Sequence, residues 1–307
     1  MNNPNASFFG QMKQNWKSAL TVALVSIPLS ISIAVASGAS PVNGIITAVW
    51  AGLIAAIFSA SRFNIVGPAG ALTAILAAAA LQFGPAALSS IAIIAGIIIL
   101  AAWALRLDKY ITYIPSSVIH GFTLSVAVVI GLNQLNFAFG LTGLTKHPEF
   151  LSNIFETFSH IQMASPAITG FFILSLAFLF AMLKFFPRLP GAVLLAPIAI
   201  AVGYFAQKGQ LPFDLITLGE VFPNLKLSIF SIPDLAFTNA YVLPSATVAL
   251  VAILETILSA KIADRMTKTK HDQRKEILGL GLANIGSGFF GGLPATGVFV
   301  RTSLNVR

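Results

Sequence analysis

Glu255 lies in the run Val248-Ala249-Leu250-Val251-Ala252-Ile253-Leu254-Glu255-Thr256-Ile257-Leu258-Ser259-Ala260, and it reads as the only carboxylate inside any of the long apolar stretches. A carboxylate at membrane depth is costly and persists by facing a polar cavity, a substrate, an ion or a proton. The chemistry this implies is charge compensation while a solute moves, which points to a transporter or a channel. A protonated or salt-bridged structural glutamate is the bland alternative.

Two other stretches carry the chemistry of anion binding. The first is Phe63-Asn64-Ile65-Val66-Gly67-Pro68-Ala69-Gly70-Ala71-Leu72-Thr73. The second is Phe290-Gly291-Gly292-Leu293-Pro294-Ala295-Thr296-Gly297-Val298-Phe299-Val300-Arg301-Thr302. Each has a glycine-bearing extended lead, a proline at an expected helix start, small first-turn residues and then an apolar run. Proline suits a first turn because its missing N–H would have been unpaired there. A helix that starts at mid-membrane aims unpaired N–H groups and the positive end of its dipole inward, which makes an anion site. Matching broken segments in two halves of a chain are the sequence sign of an inverted-repeat transporter site. Aligning Pro68 with Pro294 places Glu255 opposite Leu29, the residue after Pro28. A pair of kinked helices is the alternative.

The elements that must hold these residues follow from composition. The chain is 56% hydrophobic and 9% charged, with a mean hydropathy of +0.87, which only a polytopic membrane protein matches. Cysteine is absent, so disulfide, thiol and thiolate–metal chemistry are excluded. Apolar runs predict spans near 18–37, 44–60, 86–105, 117–137, 166–186, 190–206, 241–260 and 275–290, with half-crossings at about 68–82 and 294–307. Ser7 to Lys17 reads as a short interfacial helix, with Phe8, Phe9, Met12 and Trp16 on one face.

The net charge of +8 does not signal nucleic acid, because the basic residues sit in short loops. With the N-terminus cytoplasmic, 15 of the 18 Lys and Arg fall inside: Lys13, Lys17, Arg62, Arg106, Lys109, Lys184, Arg188, Lys261, Arg265, Lys268, Lys270, Arg274, Lys275, Arg301 and Arg307. Lys146, Lys208 and Lys226 fall outside. The outer segments 140–165 and 207–240, with Pro148, Pro212, Pro223 and Pro233, read as loops in which His147 and His160 are isolated. His120, beside Gly121, reads as a helix-end residue or a pH sensor. A membrane-embedded enzyme would need a second catalytic group near Glu255, and only Asp264 shares its span.

These stretches resemble the SulP family of anion transporters. The resemblance also rests on Ile27-Pro28-Leu29-Ser30-Ile31-Ser32-Ile33-Ala34, Ser61-Arg62-Phe63, Tyr113-Ile114-Pro115-Ser116-Ser117-Val118-Ile119-His120-Gly121-Phe122, Gly281-Leu282-Ala283-Asn284-Ile285 and the run from Gly291 to Asn305, and it covers essentially the whole chain. It implies an all-α, SulP/UraA-like inverted-repeat fold of seven plus seven segments in the cell membrane (the inner membrane in a Gram-negative bacterium). It divides the chain into a cytoplasmic segment 1–17 and a transmembrane domain 18–307, with core segments 18–105 and 241–307 and gate segments 117–206. Ala69, Gly70 and Ala71 then match first-turn donors of one half-helix, and Ala295, Thr296 and Gly297 those of the other. Arg301 matches a basic residue beside the anion, while Glu255 and Ser259 match positions used for Na⁺ or H⁺ coupling. No other metal or cofactor is implied.

The resemblance implies a small inorganic anion such as sulfate or bicarbonate, or a dicarboxylate, moved by an elevator mechanism among membrane lipids, and it is compatible with a homodimer of a full-length form. An uncoupled channel or exchanger, a prestin-like structural protein and an inactive fragment are the alternatives. Leu29 stands where many members have Gln or Glu, which leaves Glu255 as the coupling candidate. The chain stops at Arg307 within the tenth segment, so segments eleven to fourteen and the following STAS domain are expected to be missing, and with them a complete gate.

Overall fold

The computed structural model describes residues 8–111, 116–145, 147, 149–186, 191–211, 213, 215, 217–223, 228, 230 and 232–306. Tyr113 to Pro115, Lys146, Pro148, Arg188, Pro212, Lys226 and Arg307 lie outside them, as do the side chains of Phe8, Phe9, Met12, Lys13 and His120.

The first part runs α1 (Phe8–Ala36), α2 (Pro41–Phe58), a two-residue strand β1 (Val66–Gly67), a 3-10 turn (Gly70–Leu72) leading into α3 (Thr73–Phe83), and α4 (Ala87–Ala104). The middle holds α5 (Asp108–Ile111), α6 (Ser116–Asn133), α7 (Leu135–Ala138), α8 (Phe150–Ser159), α9 (Pro166–Phe185), α10 (Gly191–Gln207) and α11 (Leu218–Val221). The last part has α12 (Val242–Thr267), α13 (Gln273–Phe289), strand β2 (Thr296–Gly297) and α14 (Phe299–Val306).

Local chemistry sets these boundaries. Pro166 opens α9 behind Ser165, whose hydroxyl accepts the Ile168 N–H. Asp272 caps α13 by accepting the Arg274 and Lys275 N–H groups at 2.9 and 3.1 Å. Gly84, at φ +86, ends α3 in a backbone region that glycine enters freely. Among the described residues, Asn15–Ala36, Pro41–Phe58, Ala87–Ala104, Pro166–Phe185 and Asn239–Thr267 are long and apolar enough to cross a membrane.

The core lies where α13 is packed between α2 and α4, with α12 against α4. Leu88, Ile91, Ala95 and Ile99 of α4 meet Val248, Ala249 and Ala252 of α12 and Ile277, Leu280 and Ala283 of α13, all buried. Small residues permit the close approach. A Cβ at Gly96 would stand 2.7 Å from the Gly281 carbonyl oxygen, and one at Gly288 would run into the Ser89 carbonyl oxygen. By contrast α6, α9 and α10 expose large apolar side chains such as Leu124, Leu174, Phe180 and Ile200. Such helices match a lipid environment rather than water.

Three expectations change. The segment to Lys17 is not a separate interfacial helix, because α1 runs unbroken from Phe8 through Pro28. The outer segment 140–165 contains an amphipathic helix, α8. Its His147 and His160 are not isolated either: both stand near Glu156, at 3.9 and 3.7 Å, because one turn of α8 brings Glu156 beside His160.

Candidate functional site

The two glycine-bearing leads cross. Val66 pairs with Gly297 and Gly67 with Thr296 in an antiparallel ladder, extended by the Val298 N–H donating to the Ile65 carbonyl at 2.9 Å. Both strands are buried. Extended backbone inside a membrane protein must satisfy its polar groups internally, and the leads do so partly with each other and partly with side chains such as Asn284, Thr256 and Thr302.

A helix begins just after each strand. The first intrahelical bond on one side is Leu72 N–H to the Ala69 carbonyl, and on the other Thr302 N–H to the Val298 carbonyl. The N–H groups of Gly70 and Ala71, and those of Phe299, Val300 and Arg301, therefore precede their helices' hydrogen-bond ladders. Two positive helix ends flank one short crossing.

Ala69, Gly70 and Ala71 lie at the first helix start as expected, with Ala69 as its N-cap residue. Ala295, Thr296 and Gly297 are not in a first turn. They form the extended lead, and α14 starts at Phe299. Their polar groups are already committed: Asn284 Oδ1 accepts the Ala295 N–H at 2.9 Å, and the Thr256 hydroxyl accepts the Gly297 N–H at 2.7 Å. The residue that answers Pro68 is thus Val298, directly after its strand, and Pro294 lies ahead of that strand. The alignment of Glu255 with Leu29 through the two prolines falls with it.

Arg301, in the first turn of α14, is 1% exposed. Its Nη2 donates to the Ser30 hydroxyl and to the Pro68 carbonyl, both at 3.2 Å. Its guanidinium lies over Gly67, where a Cβ would stand 2.5 Å from Nη1. Nε is buried and has no hydrogen-bond partner among the described residues. Among the described residues no carboxylate lies within ion-pair distance of this cation. Arg301 and Gly297 do not share a helix face, since Gly297 is in the strand.

Glu255 is half-buried, and its Oε2 accepts the Thr296 hydroxyl at 2.7 Å. Ser259, one turn further along α12, is fully buried. Its hydroxyl donates to Asn64 Oδ1 at 2.7 Å and stands 2.9 Å from the Thr302 hydroxyl. Thr302 itself contacts Asn64 Oδ1 at 3.0 Å and accepts the Ile65 N–H. Ser259 therefore ties α12 to the first lead and to α14 at once.

Residues that the sequence left without a role build the frame. Glu276 is fully buried in α13, within the expected span 275–290, so Glu255 is not the only carboxylate inside an expected span. Its Oε2 accepts the N–H groups of Ala60 and Ser61 at 3.0 and 2.8 Å, and its Oε1 accepts from Asn64 at 2.7 Å. Two turns along the same helix, Asn284 grips Ala295 through both the N–H and the carbonyl. Helix α13 thus holds both leads. The available signals were a carboxylate at the second position of the expected span 275–290 and a lone amide in Gly281-Leu282-Ala283-Asn284-Ile285.

Residues 12–307 match the Sulfate permease family. The Bacillus subtilis (strain 168) protein YvdB is 34% identical over 296 residues, covering 94% of this chain and 55% of that protein. The bicarbonate transporter BicA of Picosynechococcus sp. is 26% identical over 323 residues, covering 99% of this chain and 55% of that one. The chain thus spans 55% of the length of these two relatives. The solved transmembrane domain of a cyanobacterium bicarbonate transporter BicA superposes with a TM-score of 0.80 at 23% identity, covering 98% of this chain and 78% of that one.

Proposed function

The chain belongs to the sulfate permease family, and from that premise we propose that it is a secondary transporter of small anions, with the anion held at the crossing of β1 and β2. The observation that carries this reading is Arg301, a buried guanidinium with no carboxylate to neutralise it among the described residues, set between two helix N-termini. A lone buried cation is unfavourable unless something compensates it. A bound anion does so, and the N–H groups of Gly70 and Ala71 on one side and of Phe299 and Val300 on the other supply donors.

Backbone donors and one arginine read charge more than shape. Sulfate and bicarbonate are the substrates that the relatives' names suggest, and a small dicarboxylate fits the same chemistry. Glu255 serves as the coupling group, taking a proton or a Na⁺ ion, since the described residues offer it no cationic partner and only the Thr296 hydroxyl as donor. Ser259 acts in this scheme through Asn64 and Thr302, because its hydroxyl is already engaged with both. The unit of α1 to α4 with α12 to α14 moves as a body against α6, α9 and α10 in an elevator-type cycle. The N-terminus lies on the cytoplasmic side of the cell membrane.

Uptake of radiolabelled sulfate and bicarbonate into proteoliposomes, with and without an imposed Na⁺ or H⁺ gradient, tests this. Accumulation that follows a cation gradient supports coupled transport. Flux indifferent to both gradients supports an uncoupled channel or exchanger, and no flux of either anion contradicts the reading.

A further inference from the structure

We propose that Ile130 of α6 determines which anions reach the start of the first helix. The proposal rests on the reading that an anion binds there. Ile130 lies in the last turn of α6, and α6 packs on the 3-10 turn Gly70–Leu72 and on α3. A Cβ built on Gly70 would come 2.6 Å from Ile130 Cδ1 and 3.5 Å from its Cγ1. The φ of Gly70 is not positive, so its backbone conformation does not call for glycine. The close approach of the isoleucine does.

Ile130 thus fills the space that a side chain on the first helical residue would take. It lies over a residue whose own N–H precedes the hydrogen-bond ladder of its helix. Helix α6 therefore presents the branched apolar side chain of Ile130 to the helix start. A compact anion donated to by the Gly70 and Ala71 N–H groups fits under that side chain. A larger tetrahedral oxyanion meets its methyl groups first. Shortening Ile130 enlarges the site on the α6 side, and a bulkier residue narrows it. Removing apolar bulk from a binding site changes discrimination by about tenfold or somewhat more.

The test is binding of radiolabelled sulfate to the purified 307-residue chain, competed by chloride and by bicarbonate. Ile130→Ala is expected to raise affinity for sulfate relative to chloride about tenfold, Ile130→Val to shift it less in the same direction, and Ile130→Phe to reverse it. Gly70→Ala should weaken binding of all three anions, and adding Ile130→Ala should restore it, because the colliding methyl is gone. An unchanged sulfate-to-chloride ratio in Ile130→Ala and Ile130→Val, with wild-type binding intact, overturns the proposal. A wild-type chain that binds none of the three anions overturns the anion reading itself, and this proposal with it.

Discussion

Glu255 and Thr296 are joined by a 2.7 Å hydrogen bond in which the threonine hydroxyl donates to the carboxylate. One residue further on, the Thr256 hydroxyl accepts the Gly297 N–H, also at 2.7 Å. Two adjacent side chains of α12 thus hold the two residues of β2, and β2 leads directly to α14 and Arg301. A change of charge on Glu255 acts on the very strand that carries the candidate anion site. This would give the proposed cation coupling a physical route that spans a few bonds.

Glu255→Gln follows from that contact. The amide oxygen can still accept the Thr296 hydroxyl, so β2 stays in place, but an amide cannot take up a proton in this range and offers Na⁺ no negative charge. Anion binding should be retained within about threefold, while uptake loses its dependence on the cation gradient. Uptake by the variant that still concentrates anion with the gradient would place coupling elsewhere.

Glu276→Ala should be severely destabilising. It removes the acceptor for the Ala60 and Ser61 N–H groups and for the Asn64 amide. Buried donors left unmet cost about 1–3 kcal/mol each. Thermal unfolding in detergent should show a loss of several degrees or more, and Glu276→Gln, which keeps an acceptor oxygen, a smaller one. A Glu276→Ala protein as stable as the parent would show that the carboxylate does not hold the first lead.

The packing of α13 against α4 gives a paired test. Gly288→Ala drives a methyl into the Ser89 carbonyl oxygen, and overpacking of this kind costs about 1–3 kcal/mol. Gly121→Ala, in α6 with no atom of the described residues within 4 Å of the added Cβ beyond its own helix backbone and chain neighbours, should be neutral or stabilising by about 0.5–1 kcal/mol. Unfolding curves of the two variants should move in opposite directions or, at the least, by clearly unequal amounts. Equal shifts would mean that α13 and α4 are not in this close contact.

Much of the fold was legible because each long apolar run ends in punctuation that has a mechanism. The expected spans 166–186 and 190–206 appear as Pro166–Phe185 and Gly191–Gln207, set by Ser165-Pro166 and by the glycine-led restart. The second broken segment was read less well. Pro294 suits a helical first turn and an extended segment equally, since its ring fixes φ at a value common to both, and only the pairing of β2 with β1 decides between them. The frame of the site was least visible. Asn64, Ser259, Thr302 and Glu276 come from four separate stretches, and no spacing in a single sequence records which side chains will share a hydrogen bond. Arg301 was recognisable by position, but its hold on Ser30 and Pro68 required the fold.

Arg301 is the charge proposed to meet the anion, and direct binding to the wild-type and Arg301→Ala chains tests this most plainly. A charged hydrogen-bond donor contributes about 1.5–3 kcal/mol, equivalent to roughly a 10–100-fold change in affinity. Arg301→Ala is expected to lose affinity for radiolabelled sulfate, and for chloride and bicarbonate as competitors, by similar factors in that range, while the protein remains folded. Wild-type affinity for all three anions in a folded Arg301→Ala chain would contradict that proposal.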